Sequence, residues 1–270
     1  MTATIVPPAT TTEAAPFRRT AQPIPTTRLV TIELRKMFNT RSGLWLLVSI
    51  GVLSVVATGA VLLFAPDSEI AYENFAAAIG FPMSVILPMI AILSVTSEWS
   101  QRSGLTTFTL VPDRQRVILG KAVAAVGVGV VSVLLAFVIG ALGTVVGSAI
   151  TGLDTPWDVT FMDCVYIVLA NVLGLLIGFM LGVVIRNSAG AIVAYFVYSA
   201  LLPTVFGILA ASQQWFSDMQ GWIDFSYAQS ALFNGEMTGE RWAHLGTTAL
   251  LWLFIPMAAG LWKLMRSEVK

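Results

Sequence analysis

Cysteine and histidine are almost missing from this chain: among 270 residues there is one Cys, Cys164, and one His, His244. A single thiol excludes an internal disulfide and any multi-cysteine metal site, and a single imidazole excludes zinc-protease patterns of the H-E-x-x-H type. Cys164, near the end of an apolar run, reads as a packing residue. Charge is scarce as well, at 11% of residues, against about 25% in an ordinary soluble domain. No Asp or Glu falls inside any long apolar run, so the chain lacks the intramembrane acids on which proton- or sodium-coupled carriers usually depend. The hydrolase elbow G-x-S-x-G is absent. So is the phosphate loop, because Gly120-Lys121 is followed by Ala122 and has no glycine at the required earlier position. The sequence is therefore not expected to be an enzyme, to hold a metal or a cofactor of its own, or to bind nucleic acid.

What the chain has in abundance is apolar surface: 56% of its residues are hydrophobic, and its mean hydropathy is +0.81. Six uncharged runs carry it: Ser42 to Pro66, Asn74 to Ser97, Ala122 to Thr151, Cys164 to Ile185, Asn187 to Ser217 and Ala243 to Trp262. Each exceeds or matches the roughly 20 residues a helix needs to cross a hydrocarbon core about 30 Å thick. The expected fold is an all-α integral membrane protein with six transmembrane helices, an N-terminal amphipathic interfacial helix and an outer re-entrant segment before the last span.

A net charge of zero hides a division by side. Counting the chain across six crossings, every Lys and Arg except Arg241 falls on the side of the termini. Ten of the 15 acids, among them Asp163, Asp218, Asp224, Glu236 and Glu240, fall on the other. The positive-inside rule then makes both termini cytoplasmic.

Residues 1–26, rich in Thr, Pro and Ala, read as a disordered cytoplasmic tail rather than a signal peptide, because the following apolar run is too long for a cleavable segment. Residues 27–41 read as an amphipathic helix, with Val30, Leu34, Met37 and Phe38 on its apolar face and Arg28, Arg35 and Lys36 opposite. The alternative is a simple basic flank. Residues 42–264 form the six-span domain, and 265–270 a cytoplasmic end. Pro82 and Pro88 in the second span each remove a backbone donor, so a kink or break is expected there. Gly174, Gly178 and Gly182 repeat at i, i+4, i+8 in the fourth span, a stripe that lets another helix come close. Between 212 and 241 the outer side receives Trp215, Phe216, Trp222, Phe225, Tyr227 and Phe233. That is too aromatic for a solvated loop, and it reads as one or two short helices in the outer leaflet.

The cytoplasmic segment 97–121 carries the most specific pattern. Glu98 and Trp99 end the second span, Gly104 permits a turn, and Leu105, Phe108 and Leu110 offer apolar anchors. Pro112, Arg114, Arg116 and Lys121 follow. A short helix with such anchors suits docking into a groove on a soluble partner, with Glu98, Arg102 and Arg114 placed to fix its angle by charge. The alternative is a basic loop that only sets topology. In the order Glu98, Gly104, Leu110, Pro112, Arg114, Lys121, the segment resembles the coupling helix in the membrane subunits of type-2 ABC exporters. That resemblance extends over most of the chain after the tail. It implies a permease energised by two copies of a soluble ABC ATPase that carry the ATP and Mg, paired with a second permease copy or a homologous permease, in a bacterial cytoplasmic membrane. It also implies a transport pathway along the second and fifth spans, which makes Pro82, Ser84, Pro88, Tyr195, Tyr198 and Pro203 candidate pathway residues. The expected function is export of a hydrophobic or amphipathic compound. An ATP-independent secondary transporter or channel, and a membrane scaffold or sensor subunit, are the alternatives.

Overall fold

A computed structural model describes residues 25–66, 70–100, 114–152, 157 and 159–266. Among the described residues there are helices and no strand. Lipid offers backbone groups no partners, so apolar spans satisfy their N–H and C=O groups within a helix. The elements in order are α1 (Thr26–Asn39), α2 (Arg41–Phe64), α3 (Tyr72–Ser100), α4 (Arg114–Thr151), α5 (Phe161–Ile185), α6 (Ser188–Ser212), α7 (Gln214–Ile223), α8 (Phe225–Phe233) and α9 (Gly239–Arg266). Six of them, α2 to α6 and α9, are long and apolar enough to cross a membrane, which makes this a multi-pass membrane protein.

Helix α3 is the centre of the bundle, packed by α2, α4 and α5. Its Phe75, Ile79, Leu87, Ala91, Ile92 and Val95 are fully buried. Of the kink or break expected at the prolines, there is no break: α3 continues through Pro82 and Pro88. Pro88 deprives the Ser84 carbonyl of its helical donor, and the Tyr195 hydroxyl from α6 donates to that carbonyl at 2.5 Å. Replacing Tyr195 by Phe should therefore destabilise the protein by about 0.5–1.5 kcal/mol, the net worth of a hydrogen bond to a part-buried carbonyl. Thermal unfolding in detergent would read this as a lowered midpoint; an unchanged midpoint would mean that the carbonyl finds another donor.

Glycines set how closely the other helices approach. On α5, a Cβ at Gly178 would lie 2.6 Å from the Pro88 carbonyl oxygen, and one at Gly182 would lie 3.1 Å from Val95 Cβ. Gly174 faces elsewhere, toward Gln229 on α8 at 3.5 Å. On α4, Gly143 receives Thr58 and Phe75, and Gly147 receives Ile70, all closer than a side chain would permit. At 38 residues, α4 is about 57 Å long and overruns a hydrocarbon core of about 30 Å. Its overrun is used: α1 lies across its first turns, with Leu29 against Gly120.

Helix α1 buries Leu29, Glu33 and Met37, spaced i, i+4, i+8. Of the face read from periodicity, Met37 is buried, Val30 and Leu34 pack partly against the core and Phe38 is exposed. The helix is rotated so that an acid points inward. Near its start, Arg116 of α4 reaches Thr26, and at the far end of the chain Gln115 reaches Met265 of α9. The first helix, the start of α4 and the end of α9 thus share one end of the bundle.

Two interior departures from α-helical geometry have one cause. α6 and α9 each contain a five-residue π-helical stretch, Val197–Leu201 and Leu250–Phe254, and each stretch ends two residues before a proline, Pro203 and Pro256. A proline ring collides with the carbonyl four residues earlier, and a widened turn moves that carbonyl aside. At the opposite end of the bundle α7 and α8 meet at Asp224, a buried acid that accepts from Tyr227 N–H and from Gln220 Nε2. α8 packs on α5 through Phe225, Ala228 and Leu232, and Trp252 of α9 donates its indole N–H to the Ile223 carbonyl at 2.7 Å.

Candidate functional site

Two polar constellations interrupt this apolar bundle. The first joins α1, the end of α3 and the start of α4. Lys121 Nζ lies 2.6 Å from Glu33 Oε2 and 3.1 Å from Glu98 Oε1, and donates to the Ser94 carbonyl at 3.2 Å. Lys36 closes the ring at 2.8 Å from Glu33 Oε1 and 3.5 Å from Glu98 Oε1. Two carboxylates and two ammonium groups leave the cluster neutral. An unpaired ion in such a place would cost several kcal/mol. The side chain of Lys121 is 1% exposed and that of Glu98 3%. Their expected place on a partner-facing surface, which required no burial of Glu98, is thereby corrected. A span-end acid and a lysine directly before a long apolar run look solvated when only their own helices are considered; in the structure each meets a charged side chain of α1. Burial alone would lower the proton affinity of the half-exposed Lys36, but the Glu33 and Glu98 carboxylates outweigh it, and its pKa lies above that of an ordinary lysine.

Around this junction, the Thr96 and Ser188 hydroxyls meet at 2.8 Å, tying the end of α3 to the start of α6. Arg186, the left-handed cap of α5, stands over the Trp99 ring at 6.0 Å. Arg102, Gly104, Leu105, Phe108, Leu110 and Pro112 lie outside the described residues, and Arg114 begins α4.

The second constellation is an open-sided cavity of about 240 Å³ lined by α3, α5, α6 and α8. Four of the six residues expected along a pathway, Ser84, Pro88, Tyr195 and Tyr198, line it, and Gly174 does too. Pro82 and Pro203 do not; Pro203 serves the π-helical turn instead. Sequence reasoning missed Gln229, which lines the cavity and donates Nε2 to the Ala170 carbonyl at 2.7 Å. Its signal was its position, four residues after Phe225 and three before Leu232 on the buried face of α8. Asn171 uses its Nδ2 on the Ile167 carbonyl at 2.9 Å and also faces the cavity. The Tyr198 hydroxyl is buried and has no hydrogen-bond partner among the described residues.

The lone histidine has a packing role. His244 lies edge-on to Trp222 with ring centroids 4.3 Å apart and fills the space above Gly221. Cys164 is a partly buried free thiol. Among the described residues no cluster of His, Cys, Asp and Glu could hold a metal ion. The chain matches no model of a protein family and no curated protein sequence.

Proposed function

We propose that the chain is the membrane subunit of an ATP-driven type-2 ABC exporter, moving a hydrophobic or amphipathic compound out across the bacterial cytoplasmic membrane. ATP and Mg are held by two copies of a separate ATPase, and a second permease copy completes the transporter. The observation that carries this reading is the ionic junction of Glu33, Lys36, Glu98 and Lys121. It clamps α1 to both helices that flank residues 101–113, the segment that resembles a coupling helix. A soluble engine pressing on that segment would move α1, α3 and α4 as one body. Movement of α3 would reach Ser84 and Pro88 in the cavity wall, Ser84 lying about 21 Å along the helix from Glu98 at 1.5 Å per residue.

Other features suit the same reading. The basic residues gathered at the end shared by α1 and the close of α9 make that end cytoplasmic under the positive-inside rule. On this assignment α1 lies in the inner interface, with Arg28 and Arg35 outward toward anionic headgroups. α7 and α8 then form a re-entrant pair in the outer leaflet. Its depth is set by the Gln229 bond to Ala170, about 14 Å into α5 at 1.5 Å per residue.

The test is an affinity purification from the native membrane, with co-purifying proteins identified and assayed for ATP hydrolysis. An ATPase with a phosphate-loop motif, recovered in equal amount, is the expected outcome. Its reproducible absence would overturn the exporter reading in favour of an ATP-independent carrier or a scaffold subunit.

A further inference from the structure

The cavity between α3, α5, α6 and α8 is built differently from the rest of the bundle. Its polar wall includes Ser84, Asn171, Tyr198 and Gln229 together with further serine and tyrosine hydroxyls, and none of its lining residues is Asp, Glu, Lys, Arg or His. The nearest buried acid, Asp224, is occupied in capping α8. Unused hydrogen-bonding capacity converges on this space: among the described residues the Tyr198 hydroxyl has no partner and the side-chain oxygens of Asn171 and Gln229 accept nothing, their amide nitrogens being spent on backbone carbonyls. A full charge placed here would meet no counter-ion among the lining residues, the Asp224 carboxylate acting on Tyr198 from outside them, whereas a neutral group that both donates and accepts would be satisfied.

Size narrows the ligand further. A volume of about 240 Å³ lies below the roughly 300–1,000 Å³ typical of sites that swallow a drug-sized molecule. It holds a head group and not a whole amphiphile. The mouth is bounded by the exposed Ser199, Ser230 and Phe233, so an attached chain can leave sideways between α6 and α8 toward the apolar exterior of α6.

We propose that this cavity, contained within one chain, is a binding site for the neutral hydrogen-bonding head group, hydroxyl- or amide-bearing, of an amphiphile whose apolar tail remains in the bilayer. Asn171, Gln229 and Tyr198 are its recognition residues. The proposal rests on the exporter reading only in making this head group part of the transported compound; binding itself needs no ATPase.

The experiment uses the full chain in lipid nanodiscs without any partner. Radiolabelled octyl glucoside and octanamide, kept below micelle-forming concentrations, are titrated, and binding to empty nanodiscs is subtracted. Unlabelled octanoate and octylammonium serve as charged competitors with the same tail. Saturable binding near one per chain by at least one neutral probe is expected. Displacement by either charged competitor should be at least tenfold weaker than by the unlabelled neutral probe. Tyr198→Phe should weaken binding about threefold to tenfold while leaving the fold intact, because its hydroxyl supports nothing else. Asn171→Leu should weaken binding at least tenfold. Gln229→Leu is less decisive, since Gln229 also holds α8 to α5, so Tyr198→Phe keeps the test independent of folding. Binding no greater than that of empty nanodiscs, equal displacement by charged competitors, or an unchanged Tyr198→Phe variant would overturn the proposal. Any of these would leave the ATPase purification unaffected, so the two readings fail separately.

Discussion

Replacing Lys121 by methionine should remove most of the folded protein from the membrane. The side chain fits by volume, but the substitution strips the shared cation from Glu33 and Glu98 and leaves the latter, only 3% exposed, without its closest partner. Breaking one side of a buried pair typically costs about 3–5 kcal/mol, because the remaining charge stays desolvated. That is a large share of the stability of an ordinary domain. Glu98→Gln alone should be harmful for the complementary reason. The double variant Glu98→Gln/Lys121→Met should recover much of the loss, since Glu33 retains Lys36 at 2.8 Å and the remaining groups are neutral. Lys36→Met should cost no more than about 1 kcal/mol, as expected for an ion pair with one half-exposed member. Fluorescence-detected size-exclusion chromatography on the four variants, followed by thermal unfolding, measures the series. A Lys121→Met protein as stable as the parent would show that the junction is not a structural clamp. The proposed route from residues 101–113 to α3 would then lose its rigid link.

The second large effect concerns Gly178. Leucine at this position should abolish assembly, and even alanine should be damaging, because a Cβ would stand 2.6 Å from the Pro88 oxygen and 2.8 Å from its Cα. Both are backbone atoms at the proline of a buried helix and cannot swing away as a flexible side chain would. Overpacking of this kind typically costs about 1–3 kcal/mol and more as the added group grows. Here it would also separate α3 from α5 at the level of the cavity. Gly127→Ala is the matched comparison: nothing lies within 4 Å of its Cβ position, so alanine there should be neutral or stabilise the helix by about 0.5–1 kcal/mol. Chromatography and unfolding midpoints distinguish the pair. A monodisperse, fully stable Gly178→Leu protein would mean that α3 and α5 do not approach as closely as 2.6 Å implies.

The contrast between these two sites shows what can be read along one dimension and what cannot. Apolar run lengths and the absence of charge within them were sufficient to identify six membrane-crossing helices, because the cost of an unpaired backbone or charge in hydrocarbon leaves few alternatives. The short helices between the fifth and sixth spans were legible from their aromatic content, and a close helix approach along Gly178 and Gly182 from their spacing. Four cavity-lining residues were reached through the resemblance of the chain to a family rather than through spacing.

Partnership was decided only in three dimensions. Glu33 on a basic helix, Glu98 at a span end and Lys121 before an apolar run each look like ordinary solvated charges, and they become one buried neutral cluster only because α1 folds across the start of α4 and brings Glu33 and Lys36 to Lys121 and Glu98. Gln229 seemed part of an outer aromatic segment until α8 carried it to Ala170 on α5. The unsatisfied carbonyl behind Pro88 could be foreseen from the sequence; that Tyr195 would be its donor, 107 residues later than Pro88, could not. Periodicity reports the composition of a helix face, but which face turns inward depends on what neighbouring helices offer it. On α1 that was a lysine from another span, which meets Glu33 on the inward face while Phe38 stays exposed.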